Sequence, residues 1–129
     1  MRRFILFVFL TISFIVNAEI QYDIFATCPM KPSTGQPTGQ VAQNFMKAIL
    51  KGSQLSINNN IYNLSNKTIE HDGFQTFEKY DAVDKYNQRC TIIFLTDDSA
   101  EWYCKYAICI KYIGQDKAMM FLSNEPIRR

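Results

Sequence analysis

Apolar and polar residues alternate through "EIQYDIFA", setting Ile20, Tyr22 and Ile24 on one side of an extended chain and predicting a first strand. The next stretch, "TCPMKPSTGQPTGQ", holds three prolines and two glycines and reads as a loop. In "TGQVAQNFMKAILKG" the spacing changes. Val41, Phe45 and Ile49, with Ala42, Met46 and Leu50, form one stripe at helical spacing, with Gln43, Asn44, Lys47 and Lys51 opposite. Thr38 suits the N-cap, Gly52 the stop, and the two lysines the C-terminal end of a helix dipole.

Beyond Ser53 the pattern turns to short strands. "QLSI" and "IYNL" flank "NNN", and consecutive asparagines tolerate the left-handed backbone of a tight hairpin. "SNKT" and "HDG" read as further turns. In "GFQTFEKYDAVDKY" the apolar residues Phe74, Phe77, Tyr80 and Val83 recur every third position, which predicts irregular or short helical structure feeding an extended segment. "YNQRCTIIFL" and "EWYCKYAICIKYI", joined by "TDDSA", are the strongest strands, and "AMMFL" a final one before Pro126. The order predicts an α+β fold: one amphipathic helix packed on a mostly antiparallel sheet of about four to five short strands, stapled by disulfides. In outline this order resembles cystatin-like folds, but no motif of that family stands in the chain and no residue role follows from it.

The first residues change the picture of where the protein works. "MRRFILFVFLTISFIVNAE" has a basic start at Arg2 and Arg3, an apolar run from Phe4 to Val16, and small residues at Val16 and Ala18. That is the pattern of a secretory signal, and the run is shorter than a membrane span. Residues 1–18 are read as a cleaved signal peptide and 19–129 as a single exported domain, periplasmic or extracellular, meeting the membrane only in export. Without Arg2 and Arg3 the basic residues fall from 14 to 12, against 12 acidic ones. A chain near neutrality lacks the positive field that gathers phosphate, so nucleic acid is a poor partner.

All four cysteines lie in the exported part, where an even count favours two bridges. On an extended "YCKYAICIKYIG", Cys104 shares the core face with Trp102, Tyr106, Ile108 and Ile110, while Cys109 points the other way with Tyr103, Lys105 and Lys111. A hairpin turning through "TDD" sets Cys90 opposite Cys104. Of the three connectivities, Cys90 with Cys104 and Cys28 with Cys109 is favoured. Zinc requires paired short spacings or several histidines, and thioredoxin-like redox chemistry requires C-x-x-C; the chain has neither, so no metal or cofactor is expected.

Little else carries chemistry. His71 is the single histidine; any Ser-His or Cys-His arrangement must use it, and it sits before an Asp72-Gly73 turn, flanked by Glu70 and Asp72. Asp97 and Asp98 read as hairpin residues. Tyr103, Lys105 and Lys111, with Tyr112 near the strand's end, form a candidate binding surface of aromatic and basic side chains. "NLS" at Asn63 and "NKT" at Asn66 match the N-glycosylation pattern. The reading is a small exported binding or inhibitory module, without assigned catalytic residues, whose partner is an unknown protein or an envelope or surface component. The alternatives are a small secreted hydrolase using His71 with Glu70 or Asp72, and a structural envelope component.

Overall fold

The computed structural model describes residues 18–31, 36–99 and 104–129. The signal-like start therefore lies outside the described residues up to position 17, as do Trp102 and Tyr103. The chain runs through β1 (Glu19–Lys31), β2 (Gln36–Pro37), β3 (Ala42–Lys51), β4 (Gln54–Ile57), β5 (Asn60–Asp72), β6 (Gln75–Val83), β7 (Arg89–Asp97), β8 (Tyr106–Tyr112), β9 (Ala118–Ser123) and β10 (Ile127–Arg128). From β3 to β9 each strand pairs antiparallel with the next. β1 closes the circle by pairing with β3 on one side and β9 on the other. The result is an eight-stranded antiparallel barrel, with β2 and β10 as short additions along β1.

Closure depends on β1 being long. Its pairing with β3 runs from Glu19 to Thr27 and with β9 from Ile24 to Met30, and a bulge between Ile24 and Ala26 turns the strand between these neighbours. Three hairpins turn through two residues, and in β4 to β5 these are Asn58 (φ 49) and Asn59 (φ 66), two successive left-handed residues of the kind such a connection needs.

Alternation along each strand fills the interior. Ile20, Tyr22 and Ile24 of β1 face inward as expected, meeting Leu55, Ile57, Leu64, Ile92, Phe94, Ile108 and Ile110. Burying each such aliphatic side chain contributes about 1.5–3 kcal/mol. An eight-stranded barrel is just wide enough for this filling. An apolar inside is the reverse of a lipid-embedded barrel, whose lumen is polar. No helix among the described residues is long and apolar enough to cross a membrane. A second cluster, Ala26, Leu95, Ala107 and Leu122 with Phe77 against it, lies in register across the outer wall.

Several expectations are overturned: residues 27–31 of the expected loop continue β1, Gln75–Val83 form a regular strand, and the barrel has eight strands where the pattern predicts four to five. Two further corrections reach the fold class and its staples. The helix over Val41–Leu50 is strand β3, and among the described residues there is no helix, so the fold is all-β rather than α+β and the likeness to cystatin-like folds goes with it. In β3, Met46, Ala48 and Leu50 alternate inward, whereas Phe45 of the expected stripe is 71% exposed. Strand pairing on both sides, with β1 and β4, outweighs local helix preference.

The disulfides are the second correction: all four cysteines are free thiols. The β7–β8 register sets Cys90 opposite Tyr112 and Thr96 opposite Tyr106, so the hairpin turns well beyond "TDD". Cys90 lies in the interior cluster, and Cys104 lies with the outer one, eight residues or about 26 Å along the hairpin. Cys28 and Cys109 do share the outer wall, yet each is paired with Met120 from opposite sides, which puts them two strands or about 9.6 Å apart. A bridge requires Cα atoms within roughly 7 Å.

Candidate functional site

One end of the barrel opens into a cleft of about 670 Å³, bounded by the end of β1, the β8–β9 turn and the starts of β5 and β9. Met30, Ile110, Met119 and Phe121 make it mainly apolar, Tyr62 and Tyr112 stand in its wall, and Lys31, Asp116 and Lys117 form the rim. Its position follows from the ladders. Ile110 pairs with Met119 and Ile108 with Phe121, so alternate residues of β8 and β9 reach the lumen together. Gly114 (φ 83) turns the chain back above them in a conformation that L side chains rarely adopt.

Behind the tyrosines sits Asp84, the first residue of the β6–β7 loop and buried. Its Oδ1 accepts the backbone N–H of Tyr86 at 2.9 Å and of Gln88 at 2.8 Å. The loop is closed by Asp84 N–H to the Gln88 carbonyl and Asn87 N–H to the Asp84 carbonyl, both 3.0 Å, with Asn87 left-handed at φ 64. Oδ2 accepts the Tyr112 hydroxyl at 3.1 Å, and the Tyr112 and Tyr62 oxygens lie 3.5 Å apart.

Electrostatics at this end follow from these contacts. Burial opposes the charged form of Asp84, but the amides of Gln88 and Tyr86 and the Tyr112 hydroxyl outweigh it and hold the carboxyl below its usual range. Tyr112 is pushed well up by burial, by Tyr62 and by the Asp84 charge; Tyr62 is raised by burial, less so for its bond to Tyr112. Cys90, opposite Tyr112 and inside the barrel, is pushed up to about 11 by burial and by Asp84. It is an inert, protonated thiol near neutrality.

The residues singled out from sequence fall elsewhere. His71 is exposed near the tip of the β5–β6 hairpin, its Nδ1 3.2 Å from the Thr76 hydroxyl. Glu70 faces the other side and meets Lys79 at 3.0 Å, and Asp72 pairs with Gln75 at the turn. None of the three lines the mouth cleft. Lys105 pairs with Asp98 at 3.3 Å in the β7–β8 connection and lines a separate outer depression of about 450 Å³ with Phe25, Cys104 and Ser123. Lys111 is opposite Thr91 and Ala118 on the outer wall, six residues or about 20 Å from Lys105. The two lysines therefore do not form one patch, Tyr103 lies outside the described residues, and Tyr112 points into the barrel. Asp97, expected in the hairpin loop, is instead the last residue of β7, its carboxylate accepting hydrogen bonds from Ser99 and Gln75.

The sequence reading missed Tyr62, Asp84 and the inward role of Tyr112. The signal for Asp84 is "DKYNQ", an aspartate three residues before a turn asparagine, where a short carboxylate caps its own loop. Comparison of the chain with family models, with curated proteins and with solved structures returns no match.

Proposed function

We propose that the chain is a non-catalytic binding protein that holds a small, mainly apolar molecule in the mouth of the barrel. The carrying observation is the cleft: about 670 Å³, within the 300–1,000 Å³ usual for small-molecule sites, apolar in lining and furnished with two hydroxyls backed by a buried carboxylate. An eight-stranded barrel commonly places a single small ligand at this position. The apolar, basic-flanked start of the chain supports export, so the ligand is one met in the periplasm or outside the cell. A hydrolase built on His71 draws no comparable support, because that side chain and its neighbouring carboxylates stand on an exposed hairpin instead of in a cleft.

Titration of the domain with the apolar fluorophore 1-aminoanthracene tests the reading. Saturable binding of one molecule per chain is expected. Met119→Glu, which puts a charge on the cleft wall, is expected to weaken it at least tenfold, about 1.4 kcal/mol, while the near-UV circular dichroism of the fold is kept. Absence of saturable binding by the wild-type protein, or undiminished binding by a folded Met119→Glu variant, refutes it.

A further inference from the structure

Proton counting in the mouth says what the ligand's polar end must be. Asp84 accepts two backbone N–H groups and the Tyr112 hydroxyl, and an ionised carboxylate only accepts. A tyrosine has one hydroxyl proton, and Tyr112 gives its proton to Asp84. In the contact between the two tyrosines, 3.5 Å apart, Tyr62 is therefore the donor. Once its proton is directed at Tyr112, Tyr62 has only oxygen lone pairs to offer the cleft. We infer that the ligand carries a hydrogen-bond donor, a hydroxyl or an amine, at one end of its apolar body, and that this donor is received by the Tyr62 oxygen. This deepens the reading of the mouth as a ligand site and rests on it.

The arrangement has a fixed direction. Ligand donor, Tyr62, Tyr112 and Asp84 form a chain in which every proton points toward one buried negative charge, and each bond polarises the next. A carboxylate or sulfonate ligand is an acceptor only. It meets an oxygen with no proton to spare and a fixed anion behind it. The rim lysines work against this selection, but Lys31 is shared with Asp116 at 3.8 Å, and both partners are about half exposed, so the pair is screened. The long Tyr62–Tyr112 contact, against 2.7–2.8 Å for an ordinary O–H···O bond, is the link on which the direction depends.

Four probes of one shape separate the possibilities: 1-naphthol, 1-methoxynaphthalene, 1-acetylnaphthalene and 1-naphthoate, titrated into the whole domain near neutral pH. The alcohol is expected to bind about fivefold to tenfold more tightly than the ether, the net worth of one hydrogen bond, with naphthoate weakest. Tyr62→Phe is expected to bring alcohol and ether to equal affinity while leaving the ether unchanged. Tyr112→Phe frees the Tyr62 proton to donate into the cleft, so the ketone is expected to gain affinity over its wild-type value and to approach the alcohol. Loss of packing alone would not strengthen the ketone. Equal binding of alcohol and ether by the wild type, a preference for naphthoate, or an alcohol preference that survives Tyr62→Phe overturns the inference and leaves the mouth as a binding site. Failure of all four probes to bind removes the mouth reading as well.

Discussion

Asp84 organises the mouth end of the barrel through two oxygens, one holding the β6–β7 loop and the other the Tyr112 hydroxyl. Its folded-state carboxyl lies below the ordinary value of 3.8, so the charged form favours folding. That contribution is complete above the unfolded-state value and is lost as the pH falls through the lower folded one. Asp97 behaves in the same way, its carboxyl held down by Ser99 and Gln75. Asp84→Asn is therefore expected to lower stability at pH 7 and to flatten, without abolishing, the loss of stability in acid. Urea midpoints between pH 2 and pH 7 measure this, and an acid profile identical to wild type would show that Asp84 carries no such linkage. None of this was visible at the level of residue type. His71 attracts attention as the single histidine yet is solvent-exposed, whereas Asp84 acquires its role only when the loop folds around it and Tyr112 arrives from a strand 28 residues later.

Among the elements, those specified by their own turns were legible, and those specified by their neighbours were not. Asn58 and Asn59 announce the β4–β5 hairpin because their left-handed backbone is a local property. β6 was obscured by its three-residue spacing, which the barrel explains: Phe77 packs on the outer wall and Tyr80 on the inner, so the repeat counts residues on opposite faces. "SNKT" read as a turn because Asn66 is left-handed (φ 54), but it is a bulge inside β5. The spacing in β3 predicts a helix because its apolar residues fit both periods, and only pairing with β1 and β4 decides between them. The two arrangements make opposite demands on Phe45 and Ala48. In the barrel Phe45 is 71% exposed and Ala48 fully buried. Phe45→Ser is expected to change stability by no more than about 0.5 kcal/mol, and Ala48→Leu to cost about 1–3 kcal/mol by overpacking. Thermal unfolding followed by far-UV circular dichroism checks both, and a large loss for Phe45→Ser would count against β3 as a strand.

Closure is a property of the whole molecule, and it explains why alternation along the chain predicts too few strands and bridges that do not form. Consecutive strands can be read along a chain, but the contact of β1 with β9 joins residues about ninety positions apart and leaves no local mark. Once the sheet curls shut, its two faces become an inside and an outside; Cys90 is enclosed while Cys28, Cys104 and Cys109 lie on the outer side, and stability falls to the apolar interior instead of to bridges. The barrel is not paired throughout, however. β4 meets β5 only from Asn60 to Asn63, so the stretch of β5 from Thr68 to Asp72 is paired with β6 alone and exposed along its length. A cooperative barrel with one such extension should distribute its stability unevenly. Ile108, fully buried among strands paired on both edges, and Ile69, 52% exposed on the extension, make a matched pair for measuring this. Ile108→Ala is expected to cost about 2–5 kcal/mol, a large share of the 5–15 kcal/mol that holds a typical domain together, and Ile69→Ala less than about 0.5 kcal/mol. Urea denaturation with unchanged slope would report both values, and comparable losses at the two sites would mean that the β5–β6 extension belongs to the same cooperative core as the closed wall.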